Sequence, residues 1–281
     1  MAELPIAEVL ARHRELSAVS DTTALDTQLL LCECLSKPQS YLRTWPEKPL
    51  SSEQLAAFER MFQRRKAGEP IAYILGRQGF WSLDLQVDSS TLIPRPDTEL
   101  LVELALEKLP SKPATILDLG TGTGAIALAL ASENAQWQIL ACEKQPEAVA
   151  LARRNAQRLG LERVKFIESN WFSNLPLQRF DLIVSNPPYI DPVDPHLNQG
   201  DVRFEPQTAL VADDKGLADI KTIIIQAKKY LADGGWLMLE HGYDQGASVA
   251  NLFQRQAYLS VVTQKDLGAR DRVTMGQCFF D

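Results

Sequence analysis

Four consecutive residues of the 281-residue chain, Asn186, Pro187, Pro188 and Tyr189, combine a carboxamide, two prolines that offer carbonyl acceptors but no N–H, and an aromatic face. A site built from them accepts hydrogen bonds from a planar amino group. A second stretch, Gly120-Thr121-Gly122-Thr123-Gly124, is a glycine loop against which a ligand can lie with no Cβ in the way. Gly120, Gly122 and Ala125 also satisfy G-x-G-x-x-A, so the loop marks a nucleotide-type ligand without telling a dinucleotide from a nucleoside. Roughly twenty residues beyond it, Glu143 has the spacing and the two acceptor oxygens to take both hydroxyls of a ribose; the competing reading is a surface acid at a strand end. Asn170 and Trp171 supply an amide and an indole that can hold and cover a purine, with a plain core role for Trp171 as the alternative.

Each of these groups follows a short apolar run. Residues 115–119, 138–142, 164–167 and 181–184 read as buried strands, and residues 125–131 and 147–159 as helices between them. In an open α/β sheet ligands bind beyond the carboxyl ends of the strands, which is where all four groups fall. Further on, a helix over 216–231, a turn at Asp233-Gly234-Gly235, a strand over 236–240, a helix over 243–256 and strands over 258–264 and 272–280 predict a mostly parallel sheet with an antiparallel member at its end. Residues 191–212 are polar and proline-rich, too long for a passive connection, and read as part of a substrate wall.

The N-terminal part has a different period. Ile6, Val9, Leu10, His13 and Leu16 recur at helical spacing, with His13 expected half-buried and satisfied; Leu25, Leu29, Leu30, Cys34 and Leu35 repeat the pattern. Ser51 and Gln54 have capping-box spacing ahead of Leu55, Phe58 and Phe62, Gly68 ends that helix, and Pro70 opens another. Residues 1–75 are therefore expected to form a helical bundle, with Arg64, Arg65 and Lys66 as a solvated basic helix end. Phe80, Trp81, Leu83, Leu85 and Val87 alternate with polar residues and predict a linking hairpin within 76–95, leaving 96–281 as the α/β domain. A helix begins near Asp97, carrying Leu100, Leu101, Leu104 and Leu109; Arg95 and Glu99 read either as active-site lining or as its first turn.

Composition narrows the partners. The net charge is −7, and residues 1–78 hold ten Lys and Arg against ten Asp and Glu, so the acidic excess lies on the remainder. That is a poor footprint for gripping duplex nucleic acid, and no direct nucleic-acid partner is expected. The first residues are charged and periodic, and no apolar run approaches about 18 residues, so no membrane association and a cytoplasmic location are expected. Cys32, Cys34, Cys142 and Cys278 form no C-x-x-C pair, and His13, His196 and His241 share no ligand spacing; free thiols and no metal site follow.

The segment 118–129, DLGTGTGAIALA, resembles motif I of class I S-adenosylmethionine-dependent methyltransferases, and NPPY is similar to motif IV in those that methylate amino groups. EPIAYILG, LIPRPDTE, the GTGTG loop, SNPPYI and VRFEP, in this order and spanning nearly the whole chain, resemble the release factor glutamine methyltransferases, the PrmC or HemK family. The resemblance implies a Rossmann-like, seven-stranded class I methyltransferase domain behind an N-terminal helical bundle that recognises substrate. It implies transfer of methyl from S-adenosylmethionine, leaving S-adenosylhomocysteine, to the side-chain amide nitrogen of the glutamine in the Gly-Gly-Gln motif of class 1 release factors, by a monomer. Carried over by residue, Gly120 to Gly124 lie against the methionine part of the cofactor, Glu143 holds the ribose, Asn170 and Trp171 flank the adenine, and Asn186 to Tyr189 bind the glutamine. Glu143 and Asn170 stand where Asp is expected in this family, which bears on cofactor affinity more than on the reaction. Two other readings share the motifs: an adenine methyltransferase acting on DNA or RNA through the same NPPY loop, and a protein that binds S-adenosylmethionine without catalysis. A nicotinamide-linked oxidoreductase explains the glycine loop and Glu143 but leaves NPPY without a role.

Overall fold

The computed structural model describes residues 4–109 and 113–280; residues 1–3, 110–112 and 281 lie outside the described residues. The chain divides into two compact units, Met1–Gly76 with Pro195–Phe204, and Arg77–Asp194 with Glu205–Asp281.

In the helical unit, α1 (Ile6–Ala11) runs into a 3-10 turn (Arg12–Leu16), followed by α2 (Thr23–Leu35), α3 (Gln39–Thr44), α4 (Ser52–Lys66) and α5 (Ile71–Leu75). The capping box at α4 is complete: the Gln54 N–H donates to Ser51 Oγ and the Ser51 N–H to Gln54 Oε1. Helix α3 was not legible, because six residues are too few to display a period. His13 is half-buried with Nδ1 3.2 Å from Thr23 Oγ1.

Two expectations fail here for one reason. Helix α2 turns Asp26, Thr27, Leu30 and Leu31 inward and leaves Leu25 45% exposed. Arg65, expected at a solvated helix end, is 3% exposed: its Nε donates to Asp26 Oδ2 at 2.7 Å, and Asp26 also accepts from the Ser20 and Thr22 hydroxyls. An ion pair inside the bundle thus rotates α2 away from its apolar stripe. Arg65 also donates to Asp201 Oδ1 at 3.0 Å, which fastens Pro195–Phe204 to the helices. Only Arg64 and Lys66, paired with Glu69 and Glu15, stay at the surface.

The second unit opens with the antiparallel hairpin β1 (Arg77–Phe80) and β2 (Leu83–Gln86). The main sheet comprises β3 (Thr115–Leu119), β4 (Gln138–Glu143), β5 (Lys165–Glu168), β6 (Phe180–Ser185), β7 (Leu231–Glu240), β8 (Leu259–Lys265) and β9 (Asp271–Cys278), in the order β5-β4-β3-β6-β7-β9-β8. Strands β3 to β7 run parallel, and β9 is antiparallel to both its neighbours. The helices are α6 (Glu99–Lys108), α7 (Ala125–Glu133), α8 (Pro146–Arg158), a single turn α9 (Asp213–Gly216), α10 (Ala218–Ala227) and α11 (Gly246–Arg255).

Alternate strand residues face opposite layers. Ile116, Leu182, Val184 and Met238 pack with α6, α7, α8 and the hairpin residues Phe80 and Leu85. Leu117, Leu119, Ile183 and Leu237 pack with α10 and α11 through Ile220, Ile224 and Phe253. Burial on both faces is why these strands read as continuous apolar runs. The helix expected over 216–231 ends at Ala227, and β7 begins at Leu231, ahead of the expected turn. The glycine pair lies instead in a ladder irregularity opposite Phe180, where a Cβ on Gly235 would stand 3.0 Å from the Phe180 carbonyl oxygen.

Register sets the site. Leu119 lies opposite Cys142 and Ser185, and Glu143 opposite Glu168, so four parallel strands end level. From β3 the chain passes to β4 and β5 on one side and then returns to β6 and β7 on the other. The crevice between diverging connections at such a reversal is the usual ligand position.

Candidate active site

A cleft of about 1080 Å³, counting its open mouth, lies at this edge. Its wall includes Gly120, Thr121, Gly122 and Thr123 after β3, and Glu143 at the end of β4. Asn170 and Trp171 after β5, and Asn186 and Pro188 after β6, complete the set brought together. Gly124, Pro187 and Tyr189 do not line it: Gly124 caps α7, Pro187 is buried, and the Tyr189 hydroxyl turns to Glu240. Arg95 and Glu99 are also off the wall, Arg95 paired with Glu205 at 2.8 Å and Glu99 accepting the Trp81 N–H. From the 191–212 segment, Thr208 and Ala209 reach the cleft.

The glycine loop is fastened from below. Gly120 and Thr121 donate their N–H groups to the Cys142 carbonyl, and the Thr121 hydroxyl donates to Asp118 Oδ2 at 2.6 Å. The Ala127 N–H reaches the same Asp118 oxygen at 3.2 Å, while Asp118 Oδ1 is buried without a partner. Burial pushes the Asp118 carboxyl up to about 7, against the pull of those two donors. Glu143 closes the loop from the side: Oε2 accepts the Gly122 N–H at 3.1 Å and Oε1 accepts the N–H groups of Lys144 and Gln145. The carboxylate is thereby fixed in place with lone-pair capacity left on Oε2.

Trp171 has φ +51, a left-handed conformation that a bulky residue keeps only when its surroundings impose it. Its indole N–H donates to Asp219 Oδ1 at 3.0 Å, and its carbonyl accepts from the Ser169 hydroxyl at 2.8 Å. A Cβ on Gly120 would stand 3.2 Å from the Trp171 ring, so the glycine at φ +69 lets the indole lie across the loop.

Asn186 donates through Nδ2 to Thr98 Oγ1 at 3.1 Å, leaving its side-chain oxygen as an acceptor. The Tyr189 hydroxyl donates to Glu240 Oε1 at 3.2 Å. The Tyr189 carbonyl accepts from Gln245 Nε2 at 2.9 Å and presses on Gly216, where a Cβ would come within 2.0 Å. Ser185 ties the strand end inward by donating to the Leu119 carbonyl at 2.7 Å. Glu240 is 1% exposed, and burial pushes its carboxyl up to about 7, opposed by Thr98, Arg272 and Tyr189. Burial likewise raises the Tyr189 phenol, so it stays a donor.

Thr98, Asp118, Asp219 and Glu240 were not singled out from sequence. Asp118 and Glu240 each place an acid in or at the end of an apolar strand, a usable sign; Asp219 stands 48 residues from the indole it holds and carried none.

Comparison with known proteins places this geometry. The chain matches the PrmC N-terminal domain over residues 8–76 and the methyltransferase small domain over residues 96–201. It is 58% identical over 258 residues to the release factor glutamine methyltransferase of Pseudomonas aeruginosa, covering 92% of this chain and 94% of that protein. The proteins of that name from Vibrio cholerae and Escherichia coli are 56% and 50% identical, each over 92% of this chain, covering 91% and 94% of their own lengths. A methyltransferase structure from Pyrococcus furiosus aligns with a TM-score of 0.55 at 19% identity, covering 79% of this chain and 98% of that one. The catalytic domain of hMettl16 in complex with a MAT2A 3′UTR hairpin aligns at 0.58 and 21% identity, covering 77% and 81%. At these identities the structural likeness is one of fold. Among the described residues no helix is long and apolar enough to cross a membrane.

Proposed function

The chain belongs to the release factor glutamine methyltransferase family, and from that premise we propose that its cleft brings S-adenosylmethionine to the glutamine amide of a class 1 release factor Gly-Gly-Gln motif and methylates the nitrogen. The observation that carries this reading is the orientation of Asn186, whose NH2 is engaged by Thr98 so that its oxygen is the acceptor on offer.

The residues of the cleft fit the cofactor. Glu143 keeps acceptor capacity suited to ribose hydroxyls, the Trp171 indole offers a face to an adenine with Asn170 beside it, and Gly120 to Thr123 present backbone to the methionine part. When bound, this group supplies an electrophilic methyl on a sulfonium.

The protein's task is to aim a poor nucleophile. A carboxamide nitrogen has its lone pair delocalised into the carbonyl, and the oxygen competes. The Asn186 side-chain oxygen accepts one of its N–H groups and so directs the lone pair, and Pro187, buried behind the wall, holds the loop rather than the substrate. As positive charge grows on nitrogen, an acceptor already in position stabilises it. Holding two reactants in line contributes up to roughly 7 to 11 kcal/mol, and a proton leaves the nitrogen after transfer. Tyr189 serves from behind, its hydroxyl and carbonyl both engaged, so that the loop carrying Asn186 is fixed. In this reading residues 1–75 recognise the release factor, the 76–95 segment links them to the catalytic domain over 96–281, and a cytoplasmic monomer does the work.

The test is transfer of labelled methyl from S-adenosylmethionine to a purified class 1 release factor, beside the same factor with its Gly-Gly-Gln glutamine replaced and an equal mass of duplex DNA. Label on the first alone is expected. Label on DNA, or on the replaced factor, would overturn the assignment.

A further inference from the structure

We infer that Glu205 and Arg95 are positioning residues for the substrate amide: their ion pair clasps residues 205–212 as a strap beside the NPPY loop, so that Thr208 and Ala209 form the wall of the cleft on the side that receives the glutamine. The inference rests on the proposed function and says which part of the cleft its substrate enters.

Arg95 in LIPRPDTE and Glu205 in VRFEP have no part in the methyl transfer as described, yet the fold joins them across 110 positions of chain. A single Arg95 nitrogen, Nη2, donates to both Glu205 carboxylate oxygens at 2.8 Å, and the Ile93 N–H reaches Oε1 at 3.4 Å. The Glu205 side chain is 0% exposed and that of Arg95 36%. A carboxylate taken wholly out of water is costly unless a cation and hydrogen bonds meet it, so Glu205 stays where those donors are. The chain arrives at Glu205 directly from Phe204, the last residue of the segment grouped with the helices. The pair therefore fastens the strap at its first residue.

Its other end is joined to the substrate loop. Ile190, next after Tyr189, donates its N–H to the Leu210 carbonyl at 2.9 Å and accepts the Ala212 N–H at 3.0 Å, a parallel bridge with Val211. Between the two fastenings lies a 3-10 turn, Gln207–Ala209, in which the Ala209 N–H donates to the Pro206 carbonyl and from which Thr208 and Ala209 reach the cleft. The Arg95 end leads to the same place: the Arg95 carbonyl accepts the Thr98 N–H at 3.1 Å, and Thr98 is the residue that meets Asn186. Both ends of the strap thus run to Asn186–Tyr189. The groups that fit the cofactor, the glycine loop, Glu143 and Trp171, follow β3, β4 and β5 instead. That contrast assigns the strap to the glutamine.

The test is steady-state kinetics on a purified release factor beside calorimetric binding of S-adenosylmethionine. Glu205→Leu removes the buried charge, and Arg95 can turn to water. It is expected to raise KM for the release factor and to lower kcat, each on the order of tenfold, because the substrate amide is no longer held in line, with S-adenosylmethionine affinity within about threefold of wild type. Glu205→Gln keeps an acceptor oxygen for Arg95 and should retain more activity than Glu205→Leu. Arg95→Met combined with Glu205→Leu should be no slower than Glu205→Leu alone, since both changes break one contact. Ala209→Leu leaves the clasp intact and narrows the wall; it should raise KM for the release factor on the order of tenfold and spare cofactor affinity. Should Glu205→Leu fail to fold, Ala209→Leu decides. Wild-type kinetics in Glu205→Leu and Ala209→Leu, or a tenfold loss of cofactor affinity with KM for the release factor unchanged, would overturn the inference, the second by placing the strap on the cofactor's side. Methylation of DNA in place of the release factor would overturn the proposed function alone, because the same variants then report on KM for DNA.

Discussion

Buried carboxylates meet different company in the two units. Asp26 in the helical unit is 2% exposed and meets the Arg65 guanidinium at 2.7 Å along with two hydroxyls. Asp118 and Glu240 in the sheet unit are as deeply buried, yet among the described residues neither accepts a hydrogen bond from a cation, each keeps one oxygen without a partner, and burial holds both carboxyls near 7. The first is a structural clip: a charge fully compensated, able to override the apolar pattern of a helix and to fasten a distant segment through Asp201. The other two forgo compensation beneath the glycine loop and behind the NPPY loop. Incomplete satisfaction of this kind concentrates where a site needs groups held in a set direction or protonation state.

Removing the clip should have the largest effect. Arg65→Met leaves the Asp26 charge buried alone and is expected to cost about 3 to 5 kcal/mol, whereas adding Asp26→Leu should restore most of it. Denaturant unfolding of both variants checks this, and a single-variant loss below about 1 kcal/mol would mean that Asp26 is solvated some other way. In the sheet unit the response should be in turnover: Asn186→Ala is expected to slow methyl transfer on the order of a hundredfold or more without shifting the melting temperature. Activity within about threefold of wild type would remove Asn186 from the acceptor role.

The uncompensated acids should show in the pH dependence of stability. A carboxyl raised from 3.8 to about 7 keeps its proton in the folded chain at pH values where the unfolded chain has released it. Stability attributable to Asp118 is therefore present below about pH 4 and is lost as pH rises toward 7, by up to about 1.4 kcal/mol per pH unit. Asp118→Asn should flatten that slope; an unchanged slope would show that Asp118 is ionised throughout. The smallest effect is expected at the cap of α4, where Ser51→Ala should cost about 1 kcal/mol and leave methyl transfer as it was.

Much of this was legible along the chain. The helical period of the first residues, the apolar strands, the glycine loop, Glu143, Trp171 and NPPY are local patterns, and a local pattern survives in sequence because backbone geometry repeats it. The sheet's continuous apolar strands announced burial on both faces before any neighbour was known. The misreadings fell where a distant partner outranked local preference. Asp26 draws α2 round toward Arg65, 39 residues away, and the ladder opposite Phe180 turns an apparent glycine turn into strand.

Sequence by itself determined which chemical groups the protein owns and which edge of a sheet they would share, because alternation and turn chemistry are encoded residue by residue. Tertiary structure alone decided which way those groups point. Asn186 meets Thr98, and Tyr189 meets Glu240, only when the fold brings these distant positions together, and the direction of a hydrogen bond is a property of the pair, which no single position in the sequence records.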